Sequence, residues 1–129
     1  MTGNTGIHEQ MISDDNSRDG VSALAIVSSE LMETIRNAHL ALEDCVDGRG
    51  GTTALNRAGE LLHQARGALR MTETYGAALL VEEMELCCKF LSSLRSGKGR
   101  EDGLDALTRS MVQLPIYIER LLGGGRDIA

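Results

Sequence analysis

The stretch "ELLHQARGALRM", residues 60–71, sets one histidine, two arginines and a glycine among leucines and alanines. Laid out at about 100° per residue, Leu55, Ala58, Leu61, Leu62, Ala65 and Leu69 share one arc, so the segment reads as a helix with a core face. His63 falls roughly 140° from the centre of that arc, beside Asn56, Glu60, Gly67 and Arg70, and therefore points outward. An exposed imidazole is partly neutral near physiological pH, which leaves one ring nitrogen with a lone pair able to act as a nucleophile. Arg66 and Arg70 follow on the same helix, and guanidinium groups match phosphate oxygens in charge and geometry. Gly67, one turn beyond His63, costs about 1 kcal/mol of helix stability relative to alanine. What it offers is clearance, so that another protein can approach the imidazole. The chemistry this implies is acceptance of a phosphoryl group by His63, with Arg66 and Arg70 supplying charge and Gly67 supplying space.

Other residues with chemical potential fit no comparable pattern. His39 flanks the stripe of the first helix without a glycine or paired arginines one turn on, and His8 lies in a polar tail. Cys45, Cys87 and Cys88 are odd in number and two are adjacent, which is no disulfide framework. No C-x2-C or H-x3-H spacing points to zinc, so they read as free thiols packed as small apolar groups. Neither a metal nor a cofactor is expected. The acidic run "VEEMEL" reads as a solvated face, with Glu82 available to a basic patch on a partner. Met32, Met71, Met84 and Met111 read as core filler.

The chain has 129 residues, which suggests one domain, and carries 13 Lys and Arg against 19 Asp and Glu for a net charge of -6. That balance argues against nucleic acid as a partner. No apolar run approaches the roughly 18 residues of a membrane span, and the start "MTGNTGIHEQMISDDNSRDG" lacks the form of a secretory signal. A cytoplasmic protein that docks other proteins is expected. Tyr75, Phe90 and Tyr117 are the whole aromatic complement, so the core must be aliphatic, as in interdigitating helices.

Four helices must position the histidine. Residues 1–20 are polar and read as a disordered lead-in. In the first helix Leu24, Val27, Leu31, Ile35, Ala38, Leu42 and Cys45 recur at steps of three and four, and "DGRGG" ends it. Thr52 or Thr53 is placed to cap the second helix, and Thr72 to cap the third, whose stripe is Ala77, Leu80, Met84, Cys87, Leu91 and Leu94. "SGKGREDG" reads as a loop. The fourth helix is expected from about Asp102 to Leu122, with Leu104, Leu107, Met111, Leu114, Ile118 and Leu121 facing inward and Pro115 kinking or breaking it. The fold expected is all-α, an antiparallel four-helix bundle over residues 21–122.

"LLHQARG" followed by "EEMEL" resembles the histidine phosphotransfer (HPt) family. His63, Arg66 and Gly67 fill its His-x-x-Lys-Gly pattern with arginine for lysine, and Met84 and Glu85 fill its later apolar–Glu pair. A narrower resemblance is carried by "HQARGALRMTETYGAALLVEEMEL" with "LPIYIERLLGGGRDI". This looks like the N-terminal HPt-like bundle of the chemotaxis-type hybrid histidine kinases that govern type IV pili and twitching motility, and a stand-alone pilus regulator shares the likeness. The resemblance implies that His63 is the phosphoacceptor and that a response-regulator receiver domain and the kinase core of the parent protein are its partners. It also implies that residues 123–129 are a tail truncated from a longer protein. The chain departs from the family pattern at Leu69 and Glu73, where small residues and a second glycine are usual. Glu73 would then set a carboxylate near the phosphate chemistry and disfavour a dianion.

Two functions follow. In the first, the bundle is a phosphocarrier, not an enzyme by itself, exchanging a phosphoryl group between His63 and a receiver aspartate. In the second, it is a degenerate, non-phosphorylated docking module for a pilus-system regulator or scaffold protein.

Overall fold

The structure, a computed structural model, describes residues 5–124, with side chains from residue 23 onward. It is built of four helices, α1 (Thr5–Val46), α2 (Gly51–Met71), α3 (Tyr75–Ser92) and α4 (Lys98–Leu122). Each packs against its neighbour in sequence, and α1 closes the ring against α4. Short connections make neighbouring helices antiparallel, giving the expected all-α four-helix bundle. The expected disordered segment 1–20, with His8, and most of the expected tail 123–129 lie outside the residues with described side chains.

The core is aliphatic. All six predicted inward positions of α2 are buried, as are Leu24, Leu31, Ile35, Ala38, Leu42 and Cys45 of α1 and Leu107, Met111, Leu114, Ile118 and Leu121 of α4. Fully burying a leucine of this kind contributes about 1.5–3 kcal/mol. On α3 the face is turned by one position from the prediction. Ala77, Met84 and Leu91 are buried as expected, but Val81 and Cys88 join them while Leu80, Cys87 and Leu94 are only partly covered. Of the methionines assigned to the core, Met84 and Met111 are buried and Met32 packs at its edge, whereas Met71 is 86% exposed.

The helix ends depart from the expected caps. Gly50, left-handed at φ 78°, caps α2 without a side-chain hydrogen bond, so Thr52 and Thr53 fall inside the first turn. Arg49 steadies this turn, with its Nη2 2.9 Å from Asp44 Oδ1 and 3.2 Å from Asp47 Oδ2. Thr72 ends α2 instead of starting α3: its hydroxyl donates to the carbonyls of Ala68 and Leu69 and meets the Thr74 hydroxyl at 2.9 Å. Both threonines are buried, and a buried hydroxyl is retained where partners of this kind exist.

The segment expected to be a loop before α4 is partly helical. Gly97 caps the helix at φ 109°, and Arg100 in its first turn reaches back to α3. There it donates to the carbonyls of Leu91 at 2.8 Å and Leu94 at 3.0 Å. These carbonyls at and just beyond the end of α3 gain a cation, which a helix C-terminus favours. Gly103 leaves room for α3, because a Cβ there would overlap the side chain of Leu91. The helix runs unbroken through Pro115.

Candidate functional site

His63 stands on the outer flank of α2 with its side chain 65% exposed. The rotation of α3 that buries Val81 and Cys88 turns Glu85 toward it. Glu85 Oε2 lies 3.0 Å from His63 Nδ1. Arg66, one turn on from His63, joins both: its Nη2 is 3.0 Å from the same Nδ1, its Nε is 3.0 Å from Glu85 Oε1, and its Nη1 is 3.6 Å from Glu82 Oε1. Among the described residues no contact engages His63 Nε2.

A single ring nitrogen cannot donate to a carboxylate and accept from a guanidinium at once, so the two contacts at Nδ1 belong to opposite tautomers. With the proton on Nδ1, the ring donates to Glu85 and the outward Nε2 keeps its lone pair. With the proton on Nε2, Nδ1 accepts from Arg66 and the outward nitrogen is no nucleophile. Glu85 decides between them. Its side chain is 17% exposed, and Oε1, shielded from solvent, accepts no hydrogen bond; the Arg66 Nε–H is near that oxygen but not aimed at it. Withdrawing the Nδ1 proton would remove the hydrogen bond that Oε2 accepts, at a cost of about 1–3 kcal/mol. Arg66 has other N–H groups and a second carboxylate, Glu82, to turn to. The arrangement therefore favours Nδ1–H and a nucleophilic Nε2.

The structure brings together two of the four residues singled out from sequence, His63 and Arg66, and adds Glu85 and Glu82. Gly67 is exposed on the same flank, and a Cβ there would meet nothing within 4 Å, so nothing inside the bundle requires glycine at that position. Arg70, two turns from His63, is exposed and forms no ion pair among the described residues. A shallow groove between α2 and α3 runs beside the histidine, lined by Asn56, Glu60, Glu85, Leu86 and Lys89. His39 makes an ordinary surface pair with Glu43 at 3.2 Å.

The carboxylate expected from Glu73 is not at the site. Ten residues beyond His63, it sits about 15 Å along the helix axis, in the turn to α3. It is left-handed at φ 58°, with its N–H bonded to Arg70 O and the Thr74 N–H bonded to Leu69 O. That is the Schellman end of a helix, where glycine is the usual residue. Glu73 thus bears on the stability of the turn, and the carboxylates next to the imidazole are Glu85 and, through Arg66, Glu82. Glu85 was visible in sequence only as part of the apolar–Glu pair, and the one cue for its direction was its place a quarter-turn from Met84 on α3.

Burial pushes the Cys88 thiol up to about 12 and raises that of Cys87 as well. Cys87 and Cys88 therefore behave as packing groups and not as nucleophiles, while the buried Cys45 accepts at Sγ from Arg100 Nη2 at 3.5 Å. Among the described residues no helix is long and apolar enough to cross a membrane.

Over 111 residues the chain is 32% identical to the scaffold protein FimL of Pseudomonas aeruginosa. The match covers 84% of this chain and 19% of FimL, so the chain spans about a fifth of that relative's length. No protein-family model matches the chain, and no solved structure does.

Proposed function

We propose that this bundle is a histidine phosphotransfer module of a cytoplasmic, chemotaxis-type two-component system that regulates type IV pili. In it His63 exchanges a phosphoryl group with the aspartate of a receiver domain. The observation that carries this reading is the exposed His63 whose Nδ1 faces Glu85, with no hydrogen bond at Nε2 among the described residues. In transfer, Nε2 attacks phosphorus, the acyl P–O bond breaks, and the receiver aspartate leaves as a free carboxylate. The imidazole ring gains positive charge at that moment, and Glu85 beside Nδ1–H stabilises it or takes the proton. Arg66 can turn from Glu82 to the phosphoryl oxygens, Arg70 adds charge two turns away, and Gly67 leaves room for the receiver. The phosphate originates at the kinase core of a parent protein.

A second reading is favoured by two observations. The relative carries the name of a scaffold protein, and Arg66 is committed to two carboxylates. On that reading the bundle is a docking module for a pilus-system regulator or scaffold, and His63 is incidental. Replacing His63 by glutamine separates the two: receiver binding measured by calorimetry survives on both readings, while transfer from a phosphorylated receiver disappears only if there was transfer to lose.

A further inference from the structure

α3 turns an apolar stripe to solvent. Tyr75, Leu79, Leu86 and Phe90 are 50, 53, 55 and 63% exposed. At about 100° per residue they share an arc of roughly 60°, nearly opposite the buried Val81, Met84, Cys88 and Leu91. Single apolar residues on a surface are ordinary. Four in a line about 22 Å long form the kind of patch that marks an interaction site.

Spacing and charge say what covers it. The four positions are separated by four, seven and four residues, an order that reads the same in both directions and is symmetric about the point between Glu82 and Glu83. A second copy of α3 laid antiparallel would match Tyr75 with Phe90 and Leu79 with Leu86. It would also press Glu82 and Glu83 of one copy against the same pair of the other, and opposed like charges are destabilising. The acidic midpoint is undercompensated within the chain. Glu83 is exposed and forms no ion pair among the described residues, and Glu82 has only Arg66 at 3.6 Å.

We infer that the outward face of α3 binds an amphipathic helix of another protein, with apolar residues at the same four–seven–four spacing and Lys or Arg at its midpoint. The inference rests on the fold and not on phosphotransfer by His63. Leu86 belongs both to the stripe and to the groove beside the histidine, so a helix seated on α3 lies next to that site.

The test is fluorescence anisotropy with the whole chain and two labelled helical peptides. Both carry leucines at the four–seven–four spacing; one has two arginines at the midpoint and the other two glutamates. The arginine peptide is expected to bind roughly tenfold tighter. Glu83→Lys should weaken it by a similar factor and strengthen the glutamate peptide. Leu79→Asp should abolish binding of both without moving the thermal melt followed by circular dichroism, and Phe90→Ser should weaken both. Equal affinity for the two peptides, or no binding of either, overturns the inference. So does sedimentation showing that the wild-type chain pairs with itself and that Leu79→Asp separates the pair.

Discussion

Glu85 of α3 holds its Oε2 3.0 Å from Nδ1 of His63 of α2, so a carboxylate on one helix faces the imidazole of another. If Glu85 selects the tautomer, nitrogen-15 shifts of the imidazole should report a proton on Nδ1 in the wild-type chain and a mixture in Glu85→Ala. The phosphorylation rate of that variant should fall by about 10- to 100-fold, the size of effect that follows loss of a carboxylate orienting a metal-bound imidazole. An unchanged tautomer in Glu85→Ala removes Glu85 from the account.

Gly67 makes a prediction of opposite signs. A Cβ at this position meets nothing within 4 Å, so Gly67→Ala should stabilise the bundle by about 1 kcal/mol in urea unfolding. The same methyl group stands one turn from His63 on the face a partner must approach, and transfer from a receiver should slow several-fold. A more stable variant with undiminished transfer would show that clearance is not the reason for glycine.

Gly103 should behave differently. Its missing side chain makes room for the side chain of Leu91, which is 1% exposed and would have to shift within the packed core. Gly103→Ala is expected to destabilise the chain by about 1–3 kcal/mol, the usual range for overpacking. Gly99→Ala, in open space on the same helix, serves as the comparison and should leave stability level or slightly raised.

The buried thiol of Cys88 predicts a pH dependence. Its pKa is pushed from 9.0 to about 12 in the folded chain by burial. Above pH 9 the unfolded chain therefore releases a proton that the folded chain keeps. Stability from this group is complete below about pH 9 and declines as pH rises toward 12, at up to about 1.4 kcal/mol per pH unit. Urea unfolding between pH 8 and 10 should show a steeper decline in the wild-type chain than in Cys88→Ala, and equal slopes would contradict the assignment.

The architecture and the face bearing His63 were readable from spacing because α2 has a clean apolar arc and a polar remainder. α3 was not, because Leu79, Leu80, Val81, Leu86, Cys87 and Phe90 spread apolar residues round most of the helix, and periodicity alone cannot choose which arc is buried. That one-position rotation is what sends Glu85 toward His63, so the partner of the histidine was hidden with it. The early start of α4 escaped for another reason. Arg100 bonds carbonyls of α3 and Gly103 accommodates Leu91, and contacts between helices override the local weakness of a glycine-rich segment as a helix.

The most direct measurement is phosphorylation of the purified chain by a phosphorylated receiver or an active kinase core, with acid-labile phosphate located by mass spectrometry. Label is expected on His63 and none in His63→Gln. No label on His63, from donors that phosphorylate a control phosphotransfer domain, would contradict phosphotransfer and leave the bundle as a docking module.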